Sequence, residues 1–378
     1  MIKKSAFGTA VDRDEQPLER RRRWPPRVSQ GNVGACGHKN QFGDEKDVNA
    51  NEIVWMGSEV RTAFIGSYGF GNLGDELCLI EALERFKTDD AWVFSDRPEF
   101  TSRFVKAQGF FTERGQLSTI KPSCVVLGGG GIGFWPSLRD SLHWMHDCLG
   151  WGAECHIHNI GVGKITQPEW ISDKVVREVI TKVASFTVRD HISRWLVLEW
   201  GFDRDPGLTF YPERTLEPDM SLAETLPDGP LLGVSITGQN VMKEALRRNR
   251  HRIDQLLQDF KYHSILPIVS TLQPGEPEED DIAGFNNFAE LYLSGRQIVL
   301  PEALDRTWWH DNLTPLRLKG LVAKCDFLLS QRKHNILHAI GANVPFIAIH
   351  PSADDSLVRI IYALNHEAAP RSGFLSLP

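Results

Sequence analysis

The chain has 378 residues, of which 41% are hydrophobic and 24% charged, and its formal net charge is −7. This length favours about two domains, and the acidic balance excludes a general nucleic-acid binder, because phosphate backbones are bound by clustered basic surfaces. No stretch approaches the roughly 18 apolar residues of a membrane helix, so no integral membrane segment is predicted. The 6 cysteines fall mostly within apolar runs, which is typical of reduced core residues in a cytoplasmic protein.

Residues 1–58 are predicted to form a disordered N-terminal extension. They contain the basic run Arg20 to Arg23 among prolines, glycines and polar residues, without a sustained hydrophobic period. A solvated tail is favoured over a membrane or partner tether. No apolar signal-peptide core follows Lys3 and Lys4. Met56, immediately before the first predicted strand, is an alternative native start.

From residue 60 onward, short apolar runs alternate with helical periods, which predicts parallel βαβ units. The residues 211–230 contain four prolines and little periodicity, so they are predicted to link an N-terminal domain, 59–210, to a C-terminal domain, 231–378. The predicted fold class is α/β, with two Rossmann-like doubly wound domains facing a cleft. Helices are predicted at 75–86 and 168–184, and strands at 62–67, 91–95, 124–127, 156–161, 185–188, 231–236, 264–269, 297–300, 327–329 and 345–349.

A glycine-rich turn, GSYGFGNLGDE at 66–76, directly follows the first strand and precedes the first helix. Gly69, Gly71 and Gly74 leave room for backbone amides to approach an anion at the positive end of that helix. These three glycines also form a literal G-x-G-x-x-G, with Asp96 at the distance that a dinucleotide fold requires. A nicotinamide-binding turn and a purely structural turn are therefore open alternatives.

Two further motifs follow strands of the predicted N-terminal domain. The run Gly128 to Gly131 leaves a strand end almost without side chains, which indicates either a bound group or a flexible turn. The strand SFTV ends in Arg189 and Asp190, and an arginine at the carboxyl end of a parallel strand points its guanidinium into the cleft. A phosphate, a carboxylate or a neighbouring acidic side chain would satisfy Arg189 equally well.

The segment 326–349 predicts a strand, a polar tip, a helix and a second strand. Ser330, Arg332 and His334 lie at the tip, which places an anion-binding group and a proton-transfer group at a helix N-terminus. His338 lies one turn further on and is predicted to pack or cap.

A cluster of histidines and cysteines is a candidate metal site. Its spacing matches no standard zinc pattern, and packing beside Trp144 and Trp151 is the favoured interpretation. The cluster consists of His143, His146, Cys148, Cys155, His156 and His158.

The chain resembles the polysaccharide pyruvyl transferase family over roughly residues 60–350. Four motifs carry this resemblance: the glycine turn at 66–76, the Gly128 to Gly131 run, the V-R-D of 188–190 and the S-x-R-x-H of 330–334. The family form of the first motif is near G-Y-x-G-x-G-N-x-G-D-E. The family usually has R-L-H where this chain has Arg332-Lys333-His334, and often Tyr-Asp-Pro-Lys where this chain has the segment beginning at His350.

The resemblance implies a GT-B-like enzyme that uses phosphoenolpyruvate as donor and a saccharide diol as acceptor, without a metal or redox cofactor. Ketal formation requires protonation of the enol carbon, and His334 is suited to donate that proton. It also requires cations that bind the carboxylate and the phosphate, and Arg332 and Arg189 are suited to this role. Peripheral contact with lipid-linked glycans is compatible with this function. The remaining expected substrate-binding residues are Gly69, Gly71, Asn72, Gly74, Asp75, Gly129, Gly130 and Ser330.

Two other functions are compatible with these motifs. A GT-B-type glycosyltransferase that uses a nucleotide sugar would share the two-domain architecture. A divergent, non-catalytic binding protein is suggested by the altered segment after His350, which lacks the family lysine.

Overall fold

Parallel strands and helices alternate along the chain in the computed structural model, which describes residues 60–131, 137–162, 172–209, 211–351 and 371–377. These residues belong to one unit of the chain, Asp47–Pro378. The predicted disordered extension, 1–58, lies outside the described residues.

The described strands are β1 (Thr62–Ile65), β2 (Ala91–Phe94), β3 (Gly109–Phe111), β4 (Cys124–Gly128), β5 (Glu154–Ile160), β6 (Ser185–Val188), β7 (Gly207–Leu208), β8 (Leu231–Ser235), β9 (Ser264–Pro267), β10 (Phe327–Ser330), β11 (Phe346–His350) and β12 (Gly373–Ser376). The described helices are α1 (Leu73–Phe86), α2 (Pro98–Thr101), α3 (Leu117–Ile120), α4 (Ser137–Gly150), α5 (Lys174–Lys182), α6 (His191–Glu199), α7 (Pro212–Thr215), α8 (Asn240–Arg248), α9 (Arg250–Gln258), α10 (Asp281–Tyr292), α11 (Arg306–Asn312), α12 (Pro315–Lys324) and α13 (Lys333–Gly341).

The strands form two parallel sheets. The first has the order β3-β2-β1-β4-β5-β6-β7 and the second the order β12-β11-β10-β8-β9. In each sheet the direction of winding reverses once, between β1 and β4 in the first and between β8 and β10 in the second. Ligands of doubly wound sheets bind beside such a reversal, at the carboxyl ends of the strands. The topology therefore points to the residues that follow β1, β4, β8 and β10.

Central strands are apolar and buried on both faces because helices cover both sides of each sheet. All four residues of β1 and all five of β4 are buried, and the two strands pair in register from Thr62 with Cys124 to Ile65 with Leu127. The same pattern appears in β8 and β10. Strands of this composition are therefore correctly predicted from the sequence.

The weakly patterned elements differ from the predictions. Residues 297–300 do not form a strand, because Leu300 turns into the left-handed region before Pro301 and only Ile298 bridges to Ile265. The helix predicted at 168–184 is observed as α5, and residues 163–171 lie outside the described residues. The short strands β3, β7 and β12 were not predicted.

The turn after β1 is joined to the loop after β9 by backbone hydrogen bonds. The amide of Leu73 donates to the carbonyl of Ser270 at 3.0 Å, and the amide of Leu272 donates to the carbonyl of Gly71 at 2.9 Å. Asn72 and Thr271 form an antiparallel bridge between these bonds. The two sheet regions are thus held together beside the ends of their central strands.

Of the four histidines considered as metal ligands, His156 and His158 lie in the core of the first sheet, whereas His143 and His146 pair with Asp173 and Glu178. His156 and His158 lie on one face of β5, as predicted, but they pack against Phe86, with ring centroids at 5.2 and 5.4 Å, rather than beside the two tryptophans. Trp151 is 50% exposed. Within the described residues, no three His, Cys, Asp or Glu side chains are grouped to hold a metal ion. The described cysteines are free and buried.

None of the described helices is both long enough and apolar enough to cross a bilayer.

Candidate active site

A polar cavity of about 330 Å³ lies where the carboxyl ends of the two sheets meet. Its walls come from the segments after β1 and β4 on one side and after β8, β9, β10 and β11 on the other. Both winding reversals therefore face the same space, as expected for a ligand site. The lining residues are Ser67, Asn72, Asp75, Gly131, Thr237, Gln239, Ser270, Thr271, Gln331, Arg332, Lys333, His334 and His350.

The N-terminus of α1 is capped from within the protein. Asn72 is the N-cap residue, and its side-chain oxygen accepts from the amide of Gly74 at 3.0 Å. The amides of Asp75 and Glu76 donate to the carbonyl of Asn72, and the amide of Gly69 donates to the Glu76 carboxylate at 2.6 Å. The amides of Gly69 and Gly74, expected to hold an anion, are therefore already occupied by protein acceptors.

The glycines of the turn make room for protein atoms rather than for a ligand. A Cβ on Gly74 would lie 2.2 Å from Cγ of His334, and one on Gly71 would lie 2.3 Å from the carbonyl oxygen of Leu272. A Cβ on Gly69 would lie 2.3 Å from the hydroxyl of Ser95. Since real Cβ atoms do not approach other atoms this closely, these positions fix the packing of the turn against its neighbours.

The second glycine run has the same role. Gly129 and Gly130 both have positive φ, and added Cβ atoms would meet Cys78 at 2.2 Å and the Asp75 carboxylate at 2.6 Å. Of this run, Gly131 lines the cavity. The glycines thus let the Asp75 carboxylate lie close against the end of β4.

The first backbone amides of α13 lack a side-chain cap among the described residues, unlike those of α1. Ser330 is buried at the end of β10, and its hydroxyl accepts from the amide of Arg332 at 3.0 Å. Arg332 is the N-cap residue but makes no side-chain cap hydrogen bond. No described residue accepts from the amides of Lys333, His334 or Asn335, so this positive helix end is available to an anion.

His334 is held by a buried carboxylate. Its Nδ1 lies 2.6 Å from Oε1 of Glu213, which α7 places in the interior with no exposed surface. Burial alone would raise the pKa of Glu213, but the hydrogen bond and charge of His334 lower it to about 2. An ionised Glu213 fixes the proton on Nδ1, which leaves Nε2 to accept or donate a proton at the cavity.

Asp75 faces His334 across the cavity wall. Its Oδ1 lies 3.7 Å from Nε2 of His334, and no described residue donates a hydrogen bond to its carboxylate. Burial raises the pKa of Asp75, while the charges of His334, Lys333 and Arg189 oppose this effect. An imidazole and a carboxylate of this kind, side by side in a cavity, can exchange protons with a bound ligand.

The two predicted anion-binding arginines are held differently. Arg332 lines the cavity, but its guanidinium binds Asp281 at 2.8 Å and also pairs with Glu279. Arg189 lies behind the cavity lining, 5% exposed, with its Nε 3.7 Å from Asp190 and without a hydrogen-bond partner among the described residues. Asp190 itself caps α6 and accepts from Tyr211.

The structure therefore brings His334, Arg332, Asn72 and Asp75 together at the cavity, with Arg189 and the glycines in the layer behind. Sequence reasoning missed Glu213, because it lies in the predicted linker, where the prolines gave no sign of a packed helix. His338 packs in the interior, where burial lowers its pKa to about 3. Residues 352–370, which include most of the segment that differs from the family lysine motif, lie outside the described residues.

Comparison with solved structures finds proteins of similar fold. The chain is similar in structure to a UDP-GlcNAc 2-epimerase from Methanocaldococcus jannaschii, with 13% identity, coverage of 84% of this chain and 89% of that chain, and a TM-score of 0.50. It is also similar to the glycosyltransferase SnogD from Streptomyces nogalater, with 13% identity, coverage of 84% and 86%, and a TM-score of 0.43. No curated protein matches the chain.

The predicted fold class is confirmed: two Rossmann-like doubly wound regions face a cleft in a GT-B-like arrangement. The family model described as polysaccharide pyruvyl transferase matches residues 72–352, a range that contains the glycine-turn residues from Asn72 onward, the V-R-D and S-x-R-x-H motifs, and Glu213. Because this match spans most of the chain and includes the cavity from both sides, the protein belongs to the polysaccharide pyruvyl transferase family.

Proposed function

We propose that the protein transfers pyruvate from phosphoenolpyruvate to a saccharide diol, forming a cyclic ketal and releasing phosphate. The observation that carries the proposal is the Glu213–His334 pair, whose free Nε2 faces a polar cavity between the two sheet regions. Family membership supports the reaction class, and an anionic donor is supported by the start of α13, where no described residue accepts from the first amides.

In the proposed first step, protonated His334 transfers its Nε2 proton to C3 of the enol, and C2 acquires oxocarbenium character. A saccharide hydroxyl then attacks C2, and its proton passes to Asp75, whose carboxylate lies beside Nε2. The bond between C2 and the phosphate oxygen breaks with its electron pair leaving on phosphate, which takes up the proton held by Asp75. A second hydroxyl then closes the ring at C2, and its proton passes to Nε2 of His334, which restores the imidazolium. Ionised Glu213 stabilises the imidazolium at the start and holds the ring in place.

Neutral polar groups on the wall opposite α1 are suited to a saccharide. The carboxamide oxygen of Gln331 accepts from the amide and the hydroxyl of Thr237, and its amide nitrogen donates to Gln239 at 3.2 Å. These side chains fix one another and present donors and acceptors to the cavity, where sugar hydroxyl groups require paired hydrogen bonds.

The test is phosphate release from phosphoenolpyruvate in the presence of a panel of saccharides, using the full chain. His334→Gln is expected to lower turnover by about 10²–10⁴-fold, because the proton donor is lost. Glu213→Gln is expected to lower turnover less, with the pH profile displaced, because the imidazole keeps its place but loses the ionised partner. His310→Gln, which changes an exposed histidine on α11, serves as the control.

Unchanged release in His334→Gln would exclude the proton-transfer role. Thermal stabilisation of the protein by UDP or GDP, but not by phosphoenolpyruvate, would instead indicate a nucleotide-sugar glycosyltransferase. Binding of phosphoenolpyruvate without turnover on any saccharide would indicate a non-catalytic member of the family.

A further inference from the structure

Lys333 occupies a position that is electrostatically unfavourable for a cation. It is the first residue of α13, where the helix dipole places positive charge, and its half-buried side chain lines the cavity. Acidic side chains stabilise a helix start and basic ones destabilise it. A lysine at this position, in a cavity rather than in open solvent, therefore indicates that its charge is used.

The structure offers Lys333 no compensating ion pair among the described residues. Its two neighbours in the motif are both paired, Arg332 with Asp281 and His334 with Glu213. Burial and the charge of Arg189 lower the pKa of Lys333 to about 8, while the charge of Asp75 opposes this shift. The amine is the cavity cation whose charge is least neutralised by the described protein.

A second cation lies close to the first. The guanidinium of Arg189 is almost completely buried, and its Nε has no hydrogen-bond partner among the described residues. His334, only 8% exposed, presents Nε2 at the cavity without a hydrogen bond. Arg189 has Asp190 at 3.7 Å, whereas the ammonium of Lys333 has no ion pair among the described residues, and it lies at a helix N-terminus whose first amides have no described acceptor, an arrangement that favours a bound anion.

We infer that Lys333 binds the phosphoryl group of the donor, together with the free amides at the start of α13. This inference rests on the proposed function for the identity of the donor. It goes further by naming the residue that binds the phosphoryl leaving group. A compact ammonium with three donors suits a tetrahedral phosphoryl group, whereas the planar fork of an arginine suits a carboxylate. Arg332, whose guanidinium is paired with Asp281 and Glu279, and Arg189, which lies behind the lining, are less free than Lys333 to bind this group.

The test is calorimetric titration of the full chain with inorganic phosphate, phosphoenolpyruvate and pyruvate. Lys333→Met is expected to weaken phosphate and phosphoenolpyruvate binding by about 10–100-fold, as for loss of a charged hydrogen bond. Pyruvate, which has a carboxylate but no phosphoryl group, should be affected less than about twofold. Lys333→Arg should retain most of the affinity because the charge remains.

Lys174→Met is the matched control, since Lys174 is the first residue of α5, a helix of the same length, and is exposed. Its phosphate affinity should equal that of the wild type. Equal phosphate affinity in Lys333→Met and wild type overturns the inference, as does a loss confined to pyruvate or a wild type that binds none of the three probes.

The inference and the proposed function fail separately. Lys333-dependent binding of phosphoenolpyruvate, with no phosphate release on any saccharide, supports the anion site and contradicts the proposed function. Phosphate release by the wild type, with affinities unaltered in Lys333→Met, supports the function and overturns the assignment of Lys333.

Discussion

The helices α1 and α13 begin at equivalent points of the two sheets, each after a strand at a winding reversal, but their N-termini are built in opposite ways. The start of α1 is capped by Asn72 and followed by the acidic pair Asp75 and Glu76. The start of α13 has no side-chain cap and is followed by Lys333 and His334. The same topological position therefore gives a closed, acidic helix end on one side of the cavity and an open, basic one on the other.

The difference suggests that the two helix starts have different roles, one in binding an anion and the other in packing around His334. In the function proposed above, anion binding is assigned to α13, where the first amides and Lys333 have no partner among the described residues, whereas α1 supplies a carboxylate and the space for His334. The glycines of the more glycine-rich motif are used for close packing within the protein.

The strongest test of the contrast is Gly74→Ala, on the α1 side. The added methyl group would overlap the His334 ring, so we expect turnover to fall by about 10²-fold, as when a catalytic group is displaced by about 1 Å. Phosphate affinity should change little because Lys333 is not contacted. Gly115→Ala is the control, since no atom lies within 4 Å of the Cβ position there. Full activity of Gly74→Ala would show that the ring is not held at this place.

A second test uses pH and concerns the α13 side. The pKa of Lys333 is lowered to about 8, so its ammonium form is lost as pH rises through that value. Phosphoenolpyruvate affinity should therefore fall by roughly tenfold between about pH 7 and 9, and less in Lys333→Arg. Asp75, Arg189, Cys78 and Glu213 also act on the amine, and all four remain in the arginine variant. An equal pH dependence in both proteins would assign the titration to another group.

The smallest expected effect is that of Asn72→Ala. Loss of the N-cap should lower the free energy of unfolding by about 1 kcal/mol, measured by urea titration, and Asn72→Ser should restore most of it. Phosphate affinity should stay within about twofold of the wild type, because the amides of α1 are not the anion site. If Asn72→Ala lost phosphate affinity while its free energy of unfolding stayed unchanged, the anion site would have to be assigned to α1 instead of α13. The contrast between the two helices would then be wrong.

The sequence predicts the sheets and the ends of their central strands, since fully apolar runs followed by glycine or polar tips are specific to buried parallel strands. It does not predict Glu213, whose partner His334 lies 121 residues further along the chain, nor the pairing of Arg332 with Asp281, 51 residues away. Such contacts arise from tertiary packing and leave no local pattern. The turn glycines were located correctly, but what occupies the space beside them depends on the second sheet region.

The bridge between Gly71 and Leu272 consists of backbone atoms alone, and this has a consequence for sequence variation. Side chains at Ser270 and Leu272 can change without loss of the two hydrogen bonds, provided that no proline removes the Leu272 amide, whereas Gly71 has to stay a glycine because a Cβ would meet the carbonyl oxygen of Leu272 at 2.3 Å. The contact that joins the two sheet regions is thus largely independent of the residues that line the cavity. Substitutions among the cavity-lining side chains are therefore expected to leave the two halves of the cleft in the same register.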